Sequence, residues 1–196
     1  MLAVPEDPKK IRARILGYER TLRGEKRKFG VHTDGAGKRY LVGPLYMVMG
    51  DQDGARTSFA WYEREFPEDA GEPIHSICWA LCLHGAGEAH AAAGKLHQAM
   101  PLNLYLIPRL LGEACRRLDM WHGSNVEEPP WAENTPPEFL GLWTDSEKER
   151  AASLYHGAAF TSARDRWIEI HQRLQHLRPG PERSRLCAEA ARLRGW

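Results

Sequence analysis

Two stretches of the sequence, Leu45 to Pro67 and Ile74 to Asn103, repeat one pattern, and this repetition restricts the fold more than any other feature. In each stretch an apolar run with helical spacing stops at a glycine followed by an acid, and a second amphipathic run begins with an alanine a few residues later. The two glycine–acid pairs are Gly50-Asp51 and Gly87-Glu88. Two helical runs separated by so short a break form an antiparallel helix pair. The sequence therefore predicts the same helical hairpin twice.

Small and large apolar residues alternate along both hairpins, as closely approaching helices require. The small residues are Gly43, Ala55, Ala80, Ala92 and Ala99, and the large ones are Tyr46, Phe59, Trp79, Leu83 and Leu96, with Pro67 at the end of the first unit. With these residues at these positions, the segment resembles the tetratricopeptide repeat family, whose units of ~34 residues stack as helical hairpins. The resemblance implies a right-handed stack that binds other proteins.

The chain departs from the repeat of that family at three places, one of which is Leu104, where the second terminal proline is expected. Gly50 and Gly87 are 37 residues apart because residues 69–73 carry an insertion, and Pro44 lies inside the expected first helix, where a proline truncates or kinks it. We therefore expect an all-α fold with a short tetratricopeptide-like stack rather than a regular superhelix.

The resemblance also implies where a ligand would lie, since peptides contact the concave side of the first helices in this family. By position, that side consists of Tyr40, Pro44, Met47, Ile77, Leu81 and His84. It is apolar, and it lacks the basic and amide residues that clamp a terminal carboxylate. An apolar surface of this size is covered either by a partner or by later parts of the chain, and we favour the second because two repeats are too few for a stable stack.

A basic helix is predicted before the hairpins, from Pro8 to Lys28, with Asp7 as its cap. Residues 9–28 hold nine Lys and Arg against two Glu, although the net charge of the chain is only +1. The basic side chains considered as a contact surface are Lys10, Arg14, Arg20, Arg23, Lys26 and Arg27. They form either a solvated face or a surface for phosphate groups or an acidic protein.

The segment around residues 29–41 contains Asp34-Gly35 between short apolar pieces, which predicts a β-hairpin or an ordered loop. The nearby Gly35-Ala36-Gly37-Lys38 is not a phosphate-binding loop, because Arg39 follows where that motif needs Ser or Thr.

After the hairpins we expect a further helix from Leu104 to Trp121, followed by a strap rich in tryptophan and proline at residues 122–144. An irregular stretch this long is functional or disordered, and its aromatic residues argue against disorder. It either fixes itself to the helices or presents Trp131, Glu127 and Glu128 to a partner. Helical patterns return in the last part, from Asp145 or Ser146 to Tyr155, from Ser162 to Leu177 and from Pro181 onwards.

We thus expect one compact domain of four segments. These are a basic helix with a hairpin or loop (1–42), tetratricopeptide-like repeats (43–121), the strap (122–144) and C-terminal helices (145–196). The start of the chain does not read as a secretory signal, and no run has the ~18 apolar residues of a membrane span. All four cysteines lie in helical patterns, which predicts buried, reduced thiols, so we expect a cytoplasmic protein.

The best candidates for chemistry are His75, Cys78, Cys82 and His84 on one predicted helix. Their spacing lacks the Cys-x2-Cys element of zinc sites, and a cysteine nucleophile needs a histidine base that the sequence cannot place. We therefore expect no metal, no cofactor and no enzyme. The favoured function is a non-catalytic scaffold, adaptor or regulatory subunit that binds another protein, for example an enzyme made in the same cell. The alternative is a nucleic-acid-binding accessory factor, and a cysteine/histidine enzyme or metal protein is less favoured.

Overall fold

The computed structural model describes residues 3–194, which form α-helices, one 3-10 turn and connecting loops, with no β-strand in this range. In chain order the helices are α1 (Pro8–Phe29), α2 (Arg39–Val48), α3 (Gln52–Glu65), α4 (Pro73–Gly85), α5 (Ala89–Leu102), α6 (Leu106–Leu110), α7 (Pro129–Glu133), α8 (Pro137–Leu140), α9 (Asp145–Tyr155), α10 (Ala158–His176) and α11 (Pro181–Arg194). The 3-10 turn is Asn125–Glu127. The all-α prediction is therefore confirmed, whereas the tetratricopeptide-like stacking stays a prediction.

The two hairpins are α2–α3 and α4–α5, and the turns that join their helices have the same backbone geometry. Gly50 and Gly87 both adopt left-handed conformations, with φ values of 73° and 80°. After each glycine, the N–H of the acid donates to a carbonyl five residues earlier, from Asp51 to Tyr46 (3.0 Å) and from Glu88 to Leu83 (2.9 Å). Only glycine adopts this φ without strain, so the sequence repeat has a physical cause.

The helices of the first hairpin approach closely because Gly43 faces Phe59. A Cβ atom placed on Gly43 would lie 2.5 Å from the Phe59 ring, which leaves no space for any side chain. The Phe59 ring, which is 1% exposed, then stacks on Trp79 of α4, with centroids 5.4 Å apart and planes 5° apart. One glycine thus allows both the nesting of α2 on α3 and the contact between the hairpins.

The segment between α1 and α2 is an ordered loop and not a β-hairpin. Glu25 of α1 accepts hydrogen bonds from the backbone N–H groups of Thr33 (3.1 Å) and Asp34 (3.0 Å). The Asp34 carboxylate in turn accepts from the N–H groups of Lys38 (2.9 Å) and Arg39 (2.8 Å) at the start of α2. These backbone N–H groups are therefore hydrogen-bonded to side chains, and the loop is ordered without a partner strand.

The expected helix over residues 104–121 is wrong, since α6 ends after one turn. Gly112 has φ 73°, and the N–H of Glu113 donates to the carbonyl of Pro108 at 2.8 Å, which closes the helix. Beyond this point Ala114 and Cys115 are exposed rather than buried. The prediction of four buried thiols is also wrong, because Cys115 and Cys187 are exposed while Cys78 and Cys82 are buried.

The strap at residues 122–144 is an ordered series of short turns fixed to the helices. The buried Asn103 side chain donates to the carbonyls of Val126 (2.6 Å) and Glu128 (3.2 Å). Phe139 (0% exposed) and Trp143 (5% exposed) enter the core. The strap therefore covers the stack.

The C-terminal helices form largely as predicted, with one shifted boundary. Thr144, one residue before the expected caps, forms a capping box with Glu147 at the start of α9. The next helix, α10, begins at Ala158 and not at Ser162, whereas α11 begins at Pro181 as expected. None of the described helices combines the length and apolar character that crossing a membrane requires.

The packing of Gly43 gives the first prediction. Gly43→Ala should lower the free energy of unfolding by about 1–3 kcal/mol, because the methyl group must displace the buried Phe59 ring. The control is Gly94→Ala in α5, where nothing lies within 4 Å of the added atom and helix propensity should raise stability by up to about 1 kcal/mol. Urea unfolding measures both, and equal effects of the two substitutions would contradict the close approach.

Candidate functional site

The expected concave groove is filled by the chain itself. Met47, Ile77 and Leu81 are 4%, 0% and 5% exposed, so no partner reaches them in this fold. Tyr40 donates its hydroxyl proton to Asp69 at 2.9 Å, and His84 receives a hydrogen bond from Arg150 of α9 at 2.6 Å. The groove therefore supplies core and internal contacts rather than an open binding surface.

The strap residues expected to face a partner also make internal contacts. Glu127 accepts hydrogen bonds from Arg194 (2.9 Å) and from the N–H of Gly123 (2.8 Å). Glu128 lies 3.8 Å from Arg117, and Trp131 is half-buried against the core. These three side chains hold the strap in place.

The basic residues of α1 do not form one continuous surface. With about 3.6 residues per turn, Arg20 and Arg27 lie on the face opposite the core, whereas Arg23 lies beside Leu22 and faces the space between α1 and α3. Arg14 instead donates to the carbonyl of Ala3, and Lys26 lies 3.3 Å from Glu65 of α3. Lys10, the sixth candidate, is exposed near the start of the helix. Some of these basic side chains pair with acidic residues, and the others point in different directions. They therefore form no uninterrupted stripe of the kind that follows a nucleic acid backbone.

A first cavity, the α1–α3 cleft, has a volume of about 460 Å³. Its floor is apolar, since Leu22 and Val42 are each 2% exposed. The walls and rims are formed by Glu19, Arg23, Tyr46, Asp53, Gly54, Thr57, Ser58, Trp61 and Arg64. The Tyr46 hydroxyl donates to Glu19 at 3.0 Å near one end, and burial with this acceptor raises the pKa of Tyr46 to about 12.

A second cavity, the Tyr62 cavity, has a volume of about 580 Å³ and lies among the end of α3, the loop before α4, and helices α4, α5 and α11. Its walls include the aromatic residues Tyr62, Phe66 and Trp79 together with Lys95 and Arg194. Tyr62 is 4% exposed, and its hydroxyl makes no hydrogen bond within the part of the chain that is described. This cavity therefore contains a buried polar atom that residues 3–194 leave without a hydrogen bond.

Asp69 organises the rim of the Tyr62 cavity. Its carboxylate accepts from Arg39 Nε (2.8 Å), from the Tyr40 hydroxyl (2.9 Å) and from the N–H of Gly71 (3.0 Å). Burial alone would raise the pKa of Asp69, but the hydrogen bonds from Gly71, Tyr40 and Arg39 hold it below its usual value. Asp69 is therefore a charged, fully engaged acceptor.

The histidine and cysteines of α4 are not arranged for nucleophilic chemistry. Burial lowers the pKa of His75 to about 3 and raises the pKa of the Cys78 and Cys82 thiols. At neutral pH the imidazole and both thiols therefore stay uncharged. Within residues 3–194, no three His, Cys, Asp or Glu side chains converge in an arrangement that would hold a metal ion.

No protein family, curated protein or solved structure matches this chain. The residues that distinguish the two cavities (Trp61, Tyr62, Asp69 and Lys95) are also absent from the sequence-based site predictions. In the sequence, Tyr62 and Trp61 have the spacing of ordinary core or surface residues of α3, so nothing marks them as cavity residues. The insertion at residues 69–73 was the only sequence signal near this region.

Glu72, the residue before α4, has an unusual carboxyl group. Part of its side chain is exposed, but Oε2 is completely buried and has no hydrogen-bond partner among the described residues. Burial raises the pKa of Glu72 from 4.5 to about 7. The folded state thus binds this proton more tightly than the unfolded chain, and ionisation costs stability as the pH rises through this interval.

Removing that charge gives the second prediction. Glu72→Gln should raise the free energy of unfolding at pH 8 by about 1–3 kcal/mol. The difference from the wild type should nearly vanish at pH 4, where the carboxyl group is largely protonated in both states. Urea unfolding at the two pH values measures this, with the exposed Glu68→Gln as the control. A pH-independent effect of Glu72→Gln would show that the carboxyl group is not desolvated.

Proposed function

We propose that this protein is a non-catalytic protein-binding module, an adaptor or regulatory subunit, that receives an amphipathic helix of its partner in the α1–α3 cleft. The observation that carries this proposal is the apolar floor of the cleft, where Leu22 and Val42 lie at the bottom of a channel open between two helices. Helix-in-groove recognition uses this combination of an apolar floor and polar rims.

The shape of the cleft supports a helical ligand. Because α1, α2 and α3 follow one another as antiparallel neighbours, α1 and α3 run in the same direction on either side of α2. The cleft residues of α3 extend from Asp53 to Arg64, which is about 17 Å at ~1.5 Å per residue. This length corresponds to about three turns of a helix at ~5.4 Å per turn.

The charges on the rims differ between the two ends of the cleft. Along α3, Asp53 is the first cleft residue and Arg64 the last, and on α1 Arg23 lies one turn after Glu19. Arg23 lies 3.7 Å from Glu19 and Arg64 3.4 Å from Glu65, and both arginine side chains are more than two-thirds exposed. Such exposed pairs contribute only about 0–1 kcal/mol, so a partner displaces them easily. The complementary helix carries basic residues at one end and acidic residues at the other.

Two aromatic side chains provide contact area inside the cleft. Tyr46 and Trp61 are half-buried, so each ring has a supported face and an accessible one. Trp61 is held in place by ring contacts with His32 and Phe66, with centroids 5.4 Å and 5.6 Å apart. Tyrosine and tryptophan in such positions are the residues that most often dominate binding energy at protein interfaces. A second candidate function in nucleic-acid binding has no comparable observation in its favour.

Site-specific cross-linking tests this proposal. A photo-reactive amino acid at Thr57, which lines the cleft, should cross-link a partner protein in cells that express the chain. The same group at Ala60, exposed on α3 but outside the cleft, is the matched control. Mass spectrometry should assign the cross-linked segment to a helix with apolar residues every three to four positions and opposite charges at its ends. Equal cross-linking at both positions, or a segment without this pattern, overturns the proposal.

Blocking the cleft gives the third prediction. Thr57→Trp should weaken binding of the cross-linked segment, made as a synthetic peptide, by about tenfold or more, because the ring fills the channel. Ala60→Trp adds the same side chain to the same helix outside the cleft and should leave the dissociation constant unchanged. Fluorescence anisotropy with the labelled peptide measures both. If the two variants bind alike, the segment contacts another surface.

A further inference from the structure

We propose that the Tyr62 cavity is a second binding site, independent of the cleft, for a small organic anion whose carboxylate or phosphate oxygens accept hydrogen bonds from Tyr62 and Arg194. The site is defined by two buried donors without acceptors in one cavity. The Tyr62 hydroxyl and Arg194 Nε are both buried, and neither has a hydrogen-bond partner among residues 3–194.

Unsatisfied buried donors destabilise the unliganded protein, because they lose their hydrogen bonds to water and gain nothing in return. Another nitrogen of the Arg194 guanidinium, Nη2, already donates to Glu127 at 2.9 Å. Nε is a donor only, and its partner must therefore be an acceptor. The proposed anion supplies acceptor oxygens to both groups, whereas an ammonium ligand has no lone pair to offer Nε.

Lys95 adds a positive charge to the same cavity. Its ammonium group lies 3.5 Å from the centre of the Trp79 ring and 3.3 Å from Glu63. The Lys95 side chain is 17% exposed, whereas that of Glu63 is 65% exposed. The positive charge is therefore held inside the cavity and its counter-charge lies at the mouth, where water screens it.

The acidic residues of the cavity do not oppose an anion inside it. Asp69 already accepts from Arg39, Tyr40 and Gly71 at 2.8–3.0 Å, so its charge is compensated. Glu68 is exposed at the rim. Of the groups that line the cavity, the Tyr62 hydroxyl and Arg194 Nε are the buried polar atoms without a partner among residues 3–194.

The size and walls of the cavity indicate what else the ligand carries. A volume of about 580 Å³ exceeds what a bare inorganic ion fills, and it falls in the range of about 300–1,000 Å³ of small-molecule sites. Phe66, which is half-buried, supplies aromatic surface for an apolar body. Gly71, with φ 86°, lies beside the Tyr62 hydroxyl, and a Cβ atom placed there would lie 3.7 Å from it. The ligand is therefore an anionic group attached to a planar or apolar part.

Calorimetry with defined probes tests this site. Benzoate and phenyl phosphate represent the two anion sources, and benzamide is the neutral counterpart of benzoate. The wild-type protein should bind at least one of the anions and not benzamide. Tyr62→Phe should weaken anion binding about ten- to hundredfold, because it removes one hydrogen bond to a charged group. Tyr18→Phe, which removes a hydroxyl from α1 outside the cavity, should bind the anions as the wild type does.

The stability of the unliganded variant provides the second readout and the fourth prediction. Tyr62→Phe should raise the melting temperature of the unliganded protein, because it removes a buried hydroxyl without a partner and keeps the ring. The proposal is overturned if no anion binds, if benzamide binds equally well, if Tyr62→Phe retains full affinity, or if it lowers the melting temperature. Thr57→Trp should leave anion binding unchanged. The test of this site is therefore independent of the test of the helix-binding cleft.

Discussion

The close contact between Gly43 and Phe59 is the constraint on which the rest of this structure depends. A glycine in a helix costs about 1 kcal/mol relative to alanine, yet here it lets α2 approach α3 until the Phe59 ring occupies the place of a side chain. In that position the ring stacks on Trp79 and joins the first hairpin to the second. In the second hairpin the corresponding positions are Ala80 and Leu96, so the small residue is larger than Gly43 and the large residue is smaller than Phe59.

Two nested hairpins alone would leave one apolar side exposed to water. The later part of the chain covers that side. The core continues from Met47, Ile77 and Leu81 through α6 and the strap into α9 and α10. The later segments therefore cover the surface that the family resemblance implies for peptide binding. What remains accessible lies elsewhere, between α1 and α3 and around the end of α3. This explains why binding to this chain is proposed at sites other than those that the family resemblance implies.

The sequence predicts the parts of the fold that depend on local chemistry. The glycine–acid turns, the Asp7 cap of α1 and the proline start of α11 were all readable, because each satisfies backbone groups within a few residues. The wrong predictions concern segments in which local and distant hydrogen-bond partners compete for the same backbone groups. Glycine at position 112 ended α6 although the apolar pattern continued, and the loop before α2 found its hydrogen-bond acceptor in Glu25 of the preceding helix. Periodicity carries no information about such distant acceptors.

The cavities were not predictable for a related reason, since each is formed by residues that look ordinary in their own helices. Tyr62 has the spacing of a core residue, and only the loop after α3 determines whether its hydroxyl has a partner. That loop contains the insertion at residues 69–73, and it supplies Asp69, Gly71 and Glu72. The Asp69 carboxylate accepts from Arg39 and Tyr40, and Gly71 brings no side chain to the Tyr62 hydroxyl. The insertion thus lines the cavity in which the buried hydroxyl lacks a partner among the described residues. Because these contacts join residues about 30 positions apart, the spacing of apolar residues within one helix carries no information about them.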